Sequence, residues 1–311
     1  MTGPPVEGPR EVDAGGAAPE AGPPRPRRRA LLLAGIGGAV AIAGGAATVA
    51  LLRERSAGRL TWAPPQLDSP VEIDVTEDEH VLVLDDDTDY VLRLPDEPLQ
   101  VLGGLDVTGG RNIVLIGGEI RAPDESEVEL DRRGVYLKGQ KGTIHIEGVR
   151  LTGNLSEGFN LAVPDGVLQL QNVVVEKVAG SREGNHADIV QTWAGPRRLL
   201  IDGLSGSSNY QAMFLMPNEF DEDGPVPEEF DLRRMRLAGV ERHGYMLWAP
   251  DEAPWLSVTD VQVTLEYDRG REMTFYPLDV WSEVEVVEEF TVPMPDGEPG
   301  IGYESPGYRE D

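Results

Sequence analysis

Short apolar runs separated by turn-forming residues dominate the chain from about residue 67 onward. Val, Ile and Leu alternate with other residues, and Gly, Asn, Asp and Pro punctuate the runs, as in IVLIGGEI (113–120), TIHIEGVRL (143–151) and VLQLQNVVV (167–175). A period of two is typical of half-buried strands, and no stretch keeps a helical period for three turns. The pattern therefore predicts an all-β domain over residues 67–285.

The apolar runs also repeat along the chain. Taking Gly118, Gly148, Asn172, Gly203, Gly239 and Asp260 as equivalent gives steps of 30, 24, 31, 36 and 21 residues. A period in this range is typical of a solenoid, and two or three short strands per period match a parallel β-helix. Its strands would stack about 4.8 Å apart. The repeat predicts a single-stranded parallel β-helix of about seven coils, with a β-sandwich as the alternative.

In this coil pattern the chain resembles the pectate-lyase-like superfamily of right-handed single-stranded parallel β-helices. The resemblance covers roughly residues 70–280. Two segments, GNHADIVQ (184–191) and NYQAMFL (209–215), are similar to those around the cleft of bacterial β-helix proteins that act on or bind polysaccharides. The resemblance implies a right-handed coil and a carbohydrate ligand. It implies no particular activity, because the same fold carries lyases, hydrolases, epimerases and inert spikes.

The candidate catalytic residues cluster around His186. If Ala187 and Ile189 face the core, His186 and Asp188 share the outer face, roughly 7 Å apart along the strand. His186 is a candidate general acid or base, while Asp188 would orient it or bind a sugar hydroxyl or Ca²⁺. Arg182 is the third candidate, because β-elimination of a uronic acid needs a cation near the carboxylate, which bound Ca²⁺ would also supply.

Stacking of coils predicts a ladder of polar and aromatic groups beside these residues. Aromatic rings stack on sugar faces and amides hydrogen-bond to sugar hydroxyls, so the ladder predicts a groove for an extended glycan. The candidate substrate-binding residues are Asn160, Gln191, Tyr210, Gln211, His243 and Tyr245.

No motif in the sequence dictates a reaction. A polysaccharide lyase would use Arg182 or Arg242 as its cation. A glycoside hydrolase needs two carboxylates about 5.5 Å or about 6.5–9.5 Å apart, and four acids stand in or beside turns: Asp165, Asp188, Glu219 and Asp251. Whether the protein is an enzyme stays open. A non-catalytic structural or adhesive surface protein is the alternative function, and no metal ligands are assigned.

Charge divides the chain into two parts. Residues 1–60 contain five acidic and eight basic side chains, whereas the remainder contains 50 acidic and 19 basic ones, and the whole chain has a net charge of −28. This diffuse negative excess argues against nucleic acid as a partner, because phosphate binding needs clustered Lys and Arg. The absence of Cys excludes disulfides and thiolate metal sites.

The amino-terminal part predicts a membrane anchor. Residues 30–52 are 23 residues without a charge, and at 1.5 Å per residue they span about 34 Å, enough to cross a bilayer. The basic residues before this run predict a cytoplasmic amino terminus and an ectodomain outside the cell, in a single-pass cell-membrane protein. A twin-arginine-like export signal is the alternative.

These observations predict five segments. They are a disordered cytoplasmic tail (1–29), a transmembrane signal-anchor helix (30–52), a stalk (53–66), the β-helix ectodomain (67–285) and an acidic, partly disordered tail (286–311). The expected partners are the membrane, through residues 30–52, and a polysaccharide or cell-surface glycan. The oligomeric state stays open.

Overall fold

The structure is a computed structural model that describes residues 58–126, 128–181, 186–219 and 224–310. In this part of the chain, short strands alternate with turns and three 3₁₀ helices, Glu129–Arg132, Arg271–Met273 and Asp279–Trp281. The strands are β1 (Val71–Asp74), β2 (Val81–Leu84), β3 (Tyr90–Arg93), β4 (Leu99–Gln100), β5 (Leu105–Gly109), β6 (Ile113–Ile116), β7 (Glu119–Ala122), β8 (Arg133–Lys138), β9 (Thr143–Glu147), β10 (Arg150–Gly153), β11 (Glu157–Ala162), β12 (Val167–Val178), β13 (Val190–Ala194), β14 (Arg198–Ser208), β15 (Met213–Leu215), β16 (Glu229–Gly239), β17 (Leu247–Trp248), β18 (Leu256–Leu265), β19 (Phe275–Tyr276) and β20 (Glu285–Val286). The predicted all-β class is confirmed.

The described strands form two sheets in which every pairing is parallel. One sheet has eight strands in the order β2-β5-β8-β11-β13-β15-β17-β19, and the other has twelve, with the main path β1-β3-β6-β9-β12-β14-β16-β18-β20. The chain visits the two sheets in turn, so each strand pairs with its counterpart one period later. This architecture is compatible with a β-helix, whereas a β-sandwich would pair its strands antiparallel.

The twelve-stranded sheet bends along a column of residues in the left-handed backbone conformation. Strands β12, β14, β16 and β18 run through this bend, where the four residues with positive φ are Asn172 (48°), Gly203 (84°), Arg234 (47°) and Asp260 (54°). The strand register aligns them with Gly117 and Gly148 of earlier coils. The coil steps measured between these positions are therefore 31, 24, 31, 31 and 26 residues.

One position of the predicted repeat was wrong. The equivalent of Gly203 is Arg234, five residues before the Gly239 that the sequence alignment used, and Gly239 instead pairs with Leu265 at the end of the strand. The coil that contains residues 217–230 is consequently no longer than two of the others.

Inward-facing side chains of successive coils stack to form the core. In the eight-stranded sheet Val135, Phe159, Val190 and Met213 occupy one register column, and none is measurably exposed. Because side chains alternate across a strand, the next residue of each strand faces outward. This alternation determines which side chains line the outer face of the sheet.

Residues 287–310 form a strap that runs back along the twelve-stranded sheet. The side chain of Gln262 on β18 accepts hydrogen bonds from the backbone N–H groups of Thr291 and Val292. Farther along, the N–H of Gly300 donates to the carbonyl of Gly148, and the carbonyl of Gly300 accepts from the N–H of Gly118. The strap thus connects β18 with the turn before β7.

The strap covers a buried polar cluster on β9. Glu147 accepts hydrogen bonds from the hydroxyl groups of Tyr303 at 3.0 Å and Tyr308 at 2.6 Å, and from His145 Nε2 at 2.9 Å. Burial raises the pKa of both phenols, so each keeps the proton that it donates. Composition predicted partial disorder for residues 286–311, whereas the structure shows a hydrogen-bonded segment.

The last part of the predicted stalk also packs on the twelve-stranded sheet. Leu60 is fully buried and forms a parallel bridge with Tyr308 of the strap. The backbone N–H and the hydroxyl of Thr61 both donate to Asp202, and the N–H of Trp62 donates to Gln171. Residues 60–62 therefore belong to the folded domain.

The predicted tail (1–29), the predicted anchor helix (30–52) and residues 53–57 lie outside the described residues. Within residues 58–310 that are described, no helix combines the length and the apolar character needed to span a bilayer.

Candidate functional site

The outer face of the eight-stranded sheet carries a column of polar and then aromatic side chains. In register from β8 to β19, these residues are Tyr136, Asn160, Gln191, Phe214, Trp248 and Tyr276. A second column lies two or three residues earlier in the chain, where Arg133 pairs with Glu157 and where Asp188 and Gln211 follow on the next coils. Most of the predicted site residues therefore share this face.

A groove of about 1060 Å³ opens over the last coils of this face. Five of the predicted residues line it: His186, Tyr210, Gln211, His243 and Tyr245. Asn160, Gln191 and Asp188 are not among the residues that line the groove, and Arg182 lies outside the described residues.

His186 and Tyr210 form one wall of the groove. Their rings stack with centroids 5.1 Å apart and an angle of 24° between the planes, and His186 is exposed. Glu219 also lines the groove, and the surrounding protein raises the pKa of its carboxyl by removing part of its water, while the charge of the nearby His186 opposes this shift. A carboxyl and an imidazole thus stand together at the groove, the two kinds of group that most often transfer protons in enzymes.

Asp188 is buried, although the sequence predicted that it shares an exposed face with His186. Its side chain has no exposure, and neither carboxyl oxygen has a hydrogen-bond partner within the described part of the chain. Burial raises the pKa of Asp188 well above its usual range, and the charges of Glu157 and Glu219 add to that shift. Glu157 is itself paired with Arg133 at 2.6 Å. Asp188 is therefore a buried acid whose protonated form is favoured.

His243 supports the wall of the groove. It is 1% exposed, and its ring nitrogens contact backbone carbonyl oxygens, Nδ1 at 2.7 Å from Gly244 and Nε2 at 3.2 Å from Tyr267. Since both nitrogens point at backbone acceptors, neither presents a lone pair to a ligand. The backbone carbonyl of His243 also accepts a hydrogen bond from Arg269 at 2.7 Å.

Asn160 and Gln191 form the predicted amide ladder on the coils before the groove. The Nδ2 of Asn160 donates to Oε1 of Gln191 at 3.1 Å, and Asn160 is fully buried. Next to this pair, the Arg133 guanidinium lies 5.3 Å from the ring centroid of Tyr136 and 5.4 Å from that of Trp193. These groups continue the outer face but lie outside the groove.

Aromatic side chains that the sequence analysis did not select complete the groove. Phe214 and Trp248 line it, with ring centroids 5.8 Å apart, and Trp248 also packs against Tyr245 at 5.3 Å and Tyr276 at 5.2 Å. The hydroxyl of Tyr276 donates to Asp251 at 3.1 Å. The signal that could have identified Phe214 and Trp248 is their register with Gln191, one coil step at a time.

Two arginines bring positive charge to the same groove. Arg242, which the sequence analysis considered as a cation for elimination, and Arg269, which it did not consider, both line the groove and are both exposed. Arg242 lies with its guanidinium 5.5 Å from the ring centroid of Tyr267. Among the residues that the structure describes, no three His, Asp or Glu side chains come together as a set of metal ligands.

Comparison of the chain with protein-family models, with curated proteins and with solved structures finds no match in any of the three.

Proposed function

We propose that this protein binds an extended polysaccharide along the outer face of its eight-stranded sheet, with the groove at Tyr210 and Trp248 as the principal site. The proposed fold is a right-handed single-stranded parallel β-helix of the pectate-lyase-like kind. Crossovers between parallel strands of one sheet are right-handed in nearly all proteins. The eight successive strands of this sheet correspond to about seven coil steps.

The aromatic surface carries the proposal. Phe214, Tyr245, Trp248 and Tyr276 form one continuous set of ring contacts on the outer face, and Tyr276 is 37% exposed. An aromatic surface beside polar groups is the composition expected of a ligand groove, because apolar faces supply contact area and a few polar groups fix orientation. Sugar rings present apolar faces and hydroxyl edges, so they match both features. Gln211 supplies the amide at the same groove.

Glycoside hydrolysis is the catalytic candidate that the carboxyl groups favour. A general acid at neutral pH needs a raised pKa, and both Glu219 and Asp188 have raised pKa values. Glu219 lines the groove and is the candidate general acid. β-Elimination with His186 as the base and Arg242 as the cation is the competing reaction.

The proposed location is outside the cell, on a membrane anchor formed by residues 30–52. The uncharged run of 23 residues and the basic segment before it support this location. Binding to a cell-surface or environmental glycan is consistent with such a location.

Affinity electrophoresis of the full-length protein in mild detergent, through gels that contain neutral or acidic polysaccharides, tests binding. Retardation by at least one glycan is expected, and Trp248→Ala should abolish it. Trp62→Ala is the matched control, because Trp62 lies on the opposite sheet near Arg233. Unchanged retardation of Trp248→Ala would contradict the proposal.

The same samples show whether catalysis occurs. Reducing ends that disappear in Glu219→Gln indicate hydrolysis, whereas absorbance near 235 nm that disappears in His186→Ala indicates elimination. Retardation with neither product identifies a binding protein. No retardation and no product with any glycan would favour the structural or adhesive surface protein.

A further inference from the structure

Arg242 and Arg269 are unusual among the arginines of this domain. Most of the described arginines whose side chains lie on strands or turns of the sheets form ion pairs, for example Arg133 with Glu157 and Arg234 with Asp202. Arg242 instead lies over the ring of Tyr267, and Arg269 donates to the carbonyl of His243. Neither forms an ion pair with any carboxylate in the described residues. Both guanidinium groups therefore keep N–H donors for a ligand in the groove.

The surroundings of these two arginines are acidic. Exposed carboxylates flank them on the neighbouring turns, at Glu241, Glu266, Asp268 and Glu272. Residues 61–311 as a whole carry 50 acidic and 19 basic side chains. Charges separated by less than a Debye length of about 8–10 Å interact at physiological ionic strength, so a polyanion that leaves the groove meets repulsion from this surface.

These two features select one class of glycan. A polymer with a carboxylate on every sugar would satisfy two guanidinium groups and place its other charges against an acidic surface. A neutral polymer would leave both guanidinium groups without an anionic partner. A mostly neutral chain with an occasional carboxylate meets both conditions, because Arg binds carboxylates with paired N–H···O bonds.

We infer that the groove selects a predominantly neutral polysaccharide that carries one carboxylate per repeat of several sugars, and that Arg242 and Arg269 bind this carboxylate. Neutral sugars of the same chain stack on Tyr245 and Trp248. This inference rests on the proposed polysaccharide-binding function of the same groove and adds the substrate class.

The test compares three kinds of polysaccharide with the full-length protein in mild detergent. The first kind has one uronate per repeat of three to five sugars, the second is the same polymer with its carboxyl groups reduced to alcohols, and the third is polygalacturonate. We expect the first to bind about tenfold or more tightly than the second, because a hydrogen bond to a charged group is worth about 1.5–3 kcal/mol. We also expect it to bind more tightly than polygalacturonate, with the larger difference at low salt.

The double variant Arg242→Gln/Arg269→Gln should bind the uronate polymer and its reduced form equally. Arg93→Gln is the matched control, because Arg93 is exposed on the other sheet, where it pairs with Glu72. Equal binding of both polymers by the unmodified protein, or tightest binding of polygalacturonate, would overturn the inference. If Trp248→Ala still abolishes that binding, the proposed function survives and only the substrate class is wrong. Absence of binding to all three polymers would remove both.

Discussion

Replacing Arg234 by Ala should destabilise the protein far more than the same change at an exposed arginine. The guanidinium of Arg234 forms two hydrogen bonds with Asp202, from Nε to Oδ1 at 2.5 Å and from Nη2 to Oδ2 at 2.6 Å. The side chain of Arg234 is 6% exposed and that of Asp202 is not exposed. Without Arg234, the Asp202 carboxylate would keep only its hydrogen bonds from Thr61.

The size of the effect follows from the uncompensated charge. Removing one partner of a buried ion pair typically costs about 3–5 kcal/mol. Arg234 has a φ of 47°, but Ala carries the same Cβ atom, so the substitution leaves the backbone strain at this bend unchanged. The control is Arg93→Ala, which breaks an ion pair between side chains that are 55% and 60% exposed. An exposed pair of this kind contributes about 0–1 kcal/mol.

Urea unfolding of the full-length protein in mild detergent, followed by tryptophan fluorescence, measures both free energies. Adding Asp202→Asn to Arg234→Ala should recover part of the lost stability, because it removes the buried charge. A loss below about 1 kcal/mol for Arg234→Ala, or a loss equal to that of Arg93→Ala, would refute the reasoning.

Three further predictions concern the strap, the buried carboxyl groups and the surface charge. Tyr308→Phe removes a hydrogen bond to the Glu147 carboxylate and should lower the free energy of unfolding by about 1.5–3 kcal/mol in the same assay, and no measurable loss would contradict the strap contact. Burial by itself raises the pKa of Glu147, but hydrogen bonds from His145, Ser305 and Tyr308 outweigh it and lower the pKa, so the stability that Glu147 contributes should be lost as the pH falls through its folded-state pKa. The raised pKa of Asp188 has the opposite sign: Asp188→Asn should stabilise the protein at pH 7, and its advantage should shrink as the pH falls through the folded-state pKa, whereas an advantage that grows toward acid would contradict this. Because the net charge is −28, the melting temperature should rise between 0.05 and about 1 M KCl as repulsion is screened, and a constant or falling value would contradict it.

The sequence predicted the features that depend on local periodicity. Alternating apolar residues correctly indicated strands, and stacking of one coil on the next correctly placed Asn160 beside Gln191. The same reasoning selected Tyr210, Gln211 and Tyr245, which all line the groove. These successes share a cause, because in a solenoid each coil contacts its neighbours and the period brings equivalent positions together.

The bend residue at Arg234 could not be predicted from local pattern. Glycine is the usual residue at positive φ, so Gly239 was the natural choice for the fifth coil. The structure instead has Arg234 in that conformation, held by a carboxylate 32 positions away in the chain. The identity of such a partner follows only from the register of neighbouring coils.

The strap was missed for a similar reason. Residues 287–310 contain few apolar side chains, which is the composition of a segment that cannot bury enough surface to stay ordered. Long-range hydrogen bonds supply the order instead, as between Tyr303 and Glu147, 156 positions apart. Burial of Asp188 was missed too, because alternation predicts only the face on which a side chain lies.

Hydrogen–deuterium exchange with and without the polysaccharide that retards the protein most strongly tests the location of the binding site most directly. If the groove binds the glycan, the backbone amides of residues 209–216 and 242–248 should exchange more slowly in its presence, while those of residues 143–147 and 300–309 on the opposite sheet should not change. Protection confined to the opposite sheet, or no protection at a saturating concentration of the glycan, would contradict a carbohydrate site on the eight-stranded sheet.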